Sequence, residues 1–204
     1  MKIFRDYFNL SGKWAVVTGA AGHLGTVFSE ALCELGANLI LLDHSEIKLE
    51  KLRNKINSKS NISVETFTCD LELKKERELF INEILKRHSY LNILVNNAAF
   101  VGTSDLLGWT GKLSEQTIET WDRAIEVNLT AAFDITKNFV PLLKNSQNAS
   151  VINVASIYGS LGPDWSLYEG TQMGNPAAYS VSKGALIQLT KWLSTTVSPE
   201  IRVN

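Results

Sequence analysis

Of the five tyrosines in this 204-residue chain, only Tyr179 is followed four positions later by a lysine, in the run Ala178-Tyr179-Ser180-Val181-Ser182-Lys183. Residues four apart share one face of a helix. An ammonium beside a phenol favours the phenolate, moving a group that ordinarily ionises near ~10 toward the range useful for acid/base work. Upstream, Asn153-Val154-Ala155-Ser156 supplies a hydroxyl. Such a trio can move a proton on a carbonyl or alcohol oxygen while a nicotinamide exchanges hydride. A Tyr-to-Lys spacing of four arises by chance in about one chain in four, so the elements that would position these groups must supply its meaning.

Near the N-terminus, Lys13-Trp14-Ala15-Val16-Val17-Thr18 reads as a short apolar strand, and Gly19-Ala20-Ala21-Gly22-His23-Leu24-Gly25 follows it directly. Beyond the turn, Leu24, Val27, Phe28, Ala31, Leu32 and Leu35 recur at helical spacing, and Gly36 supplies a stop. Glycines between a strand and a helix let the backbone approach a pyrophosphate at the helix N-terminus, where unpaired N–H groups and the dipole favour negative charge. Asn38-Leu39-Ile40-Leu41-Leu42-Asp43 is a second buried strand that ends in a carboxylate about twenty residues past the turn. Asp43 is placed to accept hydrogen bonds from a ribose diol. A 2′-phosphate there would meet like charge with no arginine close by, and His44 is a weak substitute, so NAD is expected over NADP.

These motifs, with Asn96-Asn97-Ala98-Ala99 after a strand and Val127-Asn128-Leu129 later, resemble in order and along nearly the whole chain the short-chain dehydrogenase/reductase family. The resemblance implies an α/β Rossmann-like fold: a doubly wound parallel sheet with helices on both faces, three layers α/β/α. It implies Tyr179 as general acid/base with Lys183 beside it, Ser156 on the substrate oxygen, and Asn128 anchoring a relay water. Gly19, Gly22, His23, Leu24, Gly25, Asp43, Asp70, Leu71, Asn97, Ala98, Tyr179 and Lys183 would hold the dinucleotide, with Asp70 and Leu71 bordering the adenine. For Asp70, helix capping is the competing role.

The chain departs from the single-domain branch of that family in three places. Its glycines stand at 19, 22 and 25, a spacing typical of nucleotide-sugar enzymes, and Ala99 replaces the usual glycine. Ser156 precedes Tyr179 by twenty-three residues, where about a dozen is usual. Tyr168 stands at the shorter spacing, but Gln172 occupies the lysine place. The extra residues, Ile157 through Pro176, carry Pro163, Asp164, Trp165, Tyr168, Glu169 and Met173. Long ordered loops in compact domains are uncommon and often functional. Trp165 and Tyr168 offer flat apolar faces and Asp164 and Glu169 hydroxyl acceptors, a mixture suited to a polyol or sugar; a self-packed surface loop is the alternative. The Ser156-to-Lys183 region also resembles oxidoreductases of flagellin and surface-glycan sugar modification.

The remaining segments fit the same architecture. Ser45–Ser60 reads as a helix with Ile47, Leu49, Leu52 and Ile56 inward, and Val64–Thr68 as a strand. Lys74–His88 reads as a charged helix with Leu79, Phe80, Ile84 and Leu85 on one side, and Leu91–Val95 as a strand buried on both faces. Residues 99–113 read as a loop in which Trp109 is a pocket wall or a surface anchor. Ser114–Lys144 and Ala177–Val197 read as helices with more apolar surface than one sheet face needs. In the resembling family these two helices pair across a two-fold, so a homodimer or homotetramer is expected.

A single domain, residues 1–204, is expected from length and from 45% hydrophobic and 20% charged content. A net charge of −1 argues against nucleic acid or an acidic membrane as partner. Met1–Asp6 lacks a signal-peptide core, and no apolar run approaches the ~20 residues that span a bilayer, so a cytoplasmic protein is expected. Cys33 and Cys69 read as reduced core thiols, and His23, His44 and His88 are too scattered to suggest a metal. Ile201–Asn204 looks like the opening of a sixth strand, and the resemblance implies that a substrate-covering segment beyond it is missing. Three functions fit: an alcohol/carbonyl dehydrogenase on a small polar, sugar-derived substrate; a nucleotide-sugar epimerase or dehydratase that recycles bound NAD; or a non-catalytic dinucleotide-binding protein.

Overall fold

In a computed structural model, residues 8–103, 105–171 and 173–204 are described. The expectations for Met1–Asp6 and Gln172 lie outside them. Six parallel strands, β1 (Trp14–Thr18), β2 (Asn38–Asp43), β3 (Val64–Thr68), β4 (Ile93–Asn96), β5 (Ala149–Asn153) and β6 (Ile201–Val203), form one sheet in the order β3-β2-β1-β4-β5-β6. Alternation along β1 divides the core. Ala15 and Val17 face α1 (His23–Glu34) and α2 (Glu46–Asn57), in a cluster with Leu39, Leu41, Leu49, Leu52 and Ile56. Val16 faces the other layer, with Phe80 and Ile84 of α3 (Lys74–Arg87), Ile135 and Phe139 of α5 (Ala131–Lys144) and Leu193 of α6 (Ala177–Thr196). Strand order reverses between β1 and β4, so their C-terminal ends open a crevice, where open α/β sheets bind ligands.

In several helices part of the expected apolar face packs inward, such as Phe28 and Leu32 of α1 and Phe80 and Ile84 of α3, while the rest is exposed. In α1, Leu24 and Val27 are exposed, as is Ala31, while Gly25, Ser29 and Cys33 are buried. A Cβ at Gly25 would fall on the Gly19 carbonyl oxygen and 2.8 Å from Ala20 Cα, so this close approach admits only the small-residue side. In α2, Ile47 is exposed while Leu49, Leu52 and Ile56 are buried. In α3, Leu79 and Leu85 are exposed while Arg77 and Ile81 go inward. Large side chains can face water because polar surface is too scarce to cover a protein.

The segment expected as one helix from Ser114 begins with a 3-10 turn at Leu113–Glu115, then runs through α4 (Ile118–Ile125) and a π-helical turn at Glu126–Thr130 into α5. Ile118 and Phe133 are exposed, so its apolar residues do not form one buried stripe. The π turn contains Asn128. Such bulges insert a residue into the helical ladder and often occur at functional sites.

His88 stands at the C-cap of α3. Its side chain lies edge-on to Trp14, with ring centroids 4.6 Å apart, and its Nε2 is 3.1 Å from a Glu65 oxygen. Both cysteines are free and buried. Among the described residues no helix is long and apolar enough to cross a membrane.

Candidate active site

The crevice is stitched by Thr18 and Asn97. Thr18 Oγ1 accepts from the backbone N–H groups of Asn97 at 3.0 Å and Ala98 at 3.1 Å, and Asn97 Nδ2 donates to the carbonyls of Thr18 at 2.9 Å and Gly19 at 3.0 Å. Gly19 adopts φ +61° with Ala98 Cα 2.8 Å from where its Cβ would sit, so a side chain there is excluded by both conformation and space. Gly22 then starts α1 without a side-chain cap, leaving first-turn N–H groups for a ligand.

Asp43, at the end of β2, is buried. Its Oδ2 accepts from Ala21 N–H at 3.0 Å and its Oδ1 from Ser45 N–H at 3.2 Å, with His44 Nδ1 3.3 Å away. A carboxylate has about four acceptor directions, so these bonds hold its orientation and leave capacity for a diol. Asp70 Oδ1 accepts from Glu72 N–H at 2.9 Å, while the N-cap position of α3 belongs to Leu73. Asp70 therefore shapes the turn before the helix and does not cap it. Next to it, burial pushes the Cys69 thiol up to about 12, helped by the Glu76 and Asp70 charges.

The catalytic candidates come from the end of β5 and from α6, and of them Tyr179 and Lys183 line the crevice while Ser156 does not. Ser156 starts a 3-10 turn, Ile157–Gly159, and its hydroxyl accepts from Tyr158 N–H at 3.2 Å. That turn lies flat on α6: a Cβ at Gly159 would come 2.7 Å from the Lys183 carbonyl carbon. Lys183 is only 2% exposed, and its Nζ donates to the Val154 carbonyl at 2.6 Å and stands 6.0 Å from the Tyr179 ring centroid. Desolvation lowers its pKa to about 8.

Asn128 is buried, and its carboxamide is largely committed. Oδ1 accepts from Phe100 N–H at 2.6 Å, and Nδ2 donates to Ser182 Oγ at 3.0 Å and the Phe100 carbonyl at 3.3 Å. Ser182 Oγ in turn donates to the Tyr179 carbonyl at 2.9 Å. Asn128 thus ties the loop after β4 to the first two turns of α6.

A cavity of about 690 Å³ is lined by the glycine turn from Gly19 to Gly25, by Asp43, Asp70, Leu71, Asn97 and Ala98, and by Tyr179 and Lys183. Its size suits a dinucleotide. The glycine cradle, which a Cβ would fill, fits an extended phosphate-bearing ligand. Phe100, Val127, Val154, Glu72 and Arg123 also line it, and sequence alone gave them no signal beyond Val127 standing beside Asn128 and Val154 lying in the run to Ser156. A second cavity of about 300 Å³, lined by Glu30, Cys33, Lys55 and Ile56, holds none of the motif residues. Among the described residues no cluster of His, Cys, Asp and Glu could hold a metal.

The insert before Tyr179, with Trp165 and Tyr168, contributes no lining residue to the larger cavity. Tyr168 OH donates to Tyr158 OH at 2.7 Å, an interaction that raises the Tyr168 pKa, and Trp165 lies 5.9 Å from the Tyr168 ring with 56% of its surface exposed. Asp164 accepts from Ser166 N–H at 3.0 Å and Ser166 Oγ at 2.7 Å, bonds that lower its pKa. Both bonds fall on Oδ1, so Asp164 caps a local 3-10 turn, Trp165–Tyr168, with its second oxygen still able to accept. Trp109 is neither surface anchor nor cavity wall. It is 2% exposed, its Nε1 donates to the Val101 carbonyl at 2.7 Å, and it packs against Phe100.

Residues 13–204 match the model of the short chain dehydrogenase family. The mouse dehydrogenase/reductase SDR family member 4 is 31% identical over 96% of this chain, which spans 64% of that protein's length. The Rickettsia felis 3-oxoacyl-(acyl-carrier-protein) reductase FabG is 33% identical over 93% of this chain and 68% of its own. Among solved structures, an NAD+-bound xylitol dehydrogenase superposes with a TM-score of 0.80 at 27% identity, covering 96% of this chain and 69% of that one. A metagenomic short-chain oxidoreductase in complex with NADP gives 0.81 at 29% identity, covering 96% and 80%.

Proposed function

Because the chain belongs to the short-chain dehydrogenase family, we propose that it is an NAD-dependent oxidoreductase interconverting an alcohol and a carbonyl on a small polar, sugar-derived substrate. The observation that carries this proposal is the buried Lys183 beside Tyr179, in the same cavity as the glycine turn and Asp43. Gly19, Gly22, His23, Leu24 and Gly25 would hold the pyrophosphate, Asp43 the adenosine ribose, Asp70, Leu71 and Ala98 the adenine, and Lys183 the second ribose. When bound, NAD supplies the hydride acceptor or, reduced, the donor. Tyr179 exchanges the proton of the reacting oxygen, Lys183 stabilises its phenolate by charge, and Ser156 donates a hydrogen bond to that oxygen. Asn128 orients Tyr179 through Ser182 and offers its backbone to a relay water.

Asp43 supports NAD over NADP, since a 2′-phosphate would approach a buried carboxylate. Trp165 and Tyr168 support a sugar-like substrate, because an exposed aromatic face beside a hydroxyl pair suits C–H and O–H surfaces together. Exposed Phe133, Val181 and Trp192 on α5 and α6 support a homodimer or homotetramer. Sedimentation at low micromolar concentration should show it, and a monomer alone would remove it.

The test is NADH formation from NAD across a panel of polyols, sugars, sugar phosphates and nucleotide sugars. Net NADH accumulation is expected; an epimerase or dehydratase would accumulate none. Tyr179→Phe should reduce turnover by about 10³-fold while NADH still binds, and substantial residual turnover would place the proton transfer elsewhere.

A further inference from the structure

Arg123 has no place in the constellation above, yet it lines the same cavity as Asp43, Asp70, Leu71 and Ala98. It lies on α4, one turn before Val127. Its Nε donates to both carboxylate oxygens of Glu72, at 2.9 and 3.0 Å, and its guanidinium carbon stands 4.6 Å from the centroid of the Phe100 ring. Glu72 directly follows Asp70 and Leu71, and Phe100 directly follows the Asn97–Ala99 turn, so the two walls of the crevice meet at this side chain.

The way this ion pair is made suggests a ligand. A purely structural arginine–carboxylate pair commonly uses the parallel fork of N–H groups. Here Nε alone is used, and the four N–H donors on the two terminal nitrogens have no partner among the described residues. The side chain is 37% exposed and its plane is already oriented by Glu72 and Phe100, so little rotamer freedom remains to be lost on binding. Asp43, Asp70 and Glu72 ring this end of the cavity, which disfavours an anionic group. A neutral purine meets no such penalty, and its flat face and ring nitrogens match a guanidinium.

We propose that Arg123, held by Glu72 and Phe100, is a cofactor-binding residue that closes the adenine end of the cleft over the purine. The proposal rests on the dinucleotide reading above, and half-ligands separate the two. NADH binding is followed by fluorescence titration, AMP by displacement of NADH, and reduced nicotinamide mononucleotide directly. Arg123→Ala should weaken NADH and AMP together by about tenfold and leave the mononucleotide unchanged. Arg123→Lys, with charge but no planar fork, should recover less than half of that loss on a logarithmic scale. Glu72→Gln, which keeps shape and fold, should weaken NADH about threefold through lost orientation. Unchanged NADH and AMP affinity in Arg123→Ala overturns the proposal, as does an equal loss for the mononucleotide, which marks a general structural effect. Failure of the unaltered chain to bind NADH overturns the dinucleotide reading itself, and this proposal with it.

Discussion

The site is built in two ways on its two sides. Around β1, α1 and β2 the chain works with backbone and small residues: Thr18 and Asn97 sew two loops together, Gly25 lets α1 press on Gly19, and Asp43 reaches back to Ala21 N–H. In the insert before Tyr179 it works with large side chains that remain outside. Ile157, Leu161, Trp165, Leu167 and Met173 are all more than half exposed, around one tyrosine–tyrosine hydrogen bond. The first side has almost no freedom to change shape, because each contact is a steric limit or a paired backbone group. The second can vary residue by residue without disturbing the sheet. That division suits a protein that must hold one invariant ligand and distinguish among many variable ones.

The sharpest way to break the comparison is to place bulk on the rigid side. Gly25→Val puts a branched side chain onto the Gly19 carbonyl and against Ala20 Cα, both backbone. NADH binding should fall below detection, with a stability loss of about 2 kcal/mol or more from overpacking, read by titration and by urea unfolding. Retained NADH affinity would show that α1 can retreat and that the cradle is less rigid than its contacts imply.

Asp43→Asn tests the same side by charge. An amide keeps one acceptor oxygen for the local N–H groups but loses the second acceptor and the negative charge. NADH affinity should fall by about tenfold, and NADPH affinity should rise relative to it. An unchanged ratio would remove Asp43 as the discriminating group.

The variable side should respond differently. Trp165→Ala and Tyr168→Phe should leave NADH affinity unaltered and melting within about a degree or two, because Trp165 is exposed and the half-buried Tyr168 loses only a hydroxyl. Each should raise KM for whichever polyol or sugar is turned over by about threefold to tenfold, the scale of one lost stacking or hydrogen-bond contact. A loss in kcat with KM unchanged would instead assign the insert to positioning Tyr179.

The same contrast explains what the amino-acid sequence discloses. The first strands and the glycine turn are legible, because backbone constraint leaves a spacing: Gly19, Gly22 and Gly25, then a carboxylate at the end of the next apolar run; the parallel doubly wound sheet comes from the family resemblance, and the strand expected at Leu91–Val95 runs instead over Ile93–Asn96. The face of α1 is legible only in part. Of the residues apolar periodicity points to, Phe28 and Leu32 pack on the core but Leu24, Val27 and Ala31 do not, because close packing on Gly19 centres the buried face on Gly25, Ser29 and Cys33. The π turn at Asn128 leaves no mark, because one inserted residue shifts the helical period by less than the scatter of apolar positions. Nor do Arg123, Glu72 and Phe100 form a motif: they are far apart in the chain and meet only because β3 and β4 end on the same side of the sheet. Asp164 shows a local role that residue type alone does not reveal, since one of its carboxylate oxygens caps the turn at Ser166.

The smallest effect expected is a pH dependence of stability in which the two sides titrate with opposite sign. Lys183, beneath the Ser156 turn, has a pKa lowered by burial to about 8, against about 10.4 when unfolded. Between those values the unfolded chain holds a proton that the folded one lacks, so stability rises with pH across that window. Cys69, on the cofactor side, has a pKa raised by burial to about 12, against about 8.5 when unfolded. Between those values the folded chain holds the extra proton, so stability falls as pH rises. The two contributions oppose each other from about 8.5 to about 10.4, giving a nearly flat profile there and a decline above it. Urea midpoints from pH 7.5 to 10.5 on the cofactor-free chain resolve the pair through variants. Lys183→Met should lose the rise and decline from about pH 8.5, whereas Cys69→Ala should keep rising to about 10.4. If Lys183→Met instead followed the profile of the unaltered chain, the lysine would not be desolvated in the folded state, and the buried ammonium beside Tyr179 would lose its physical basis.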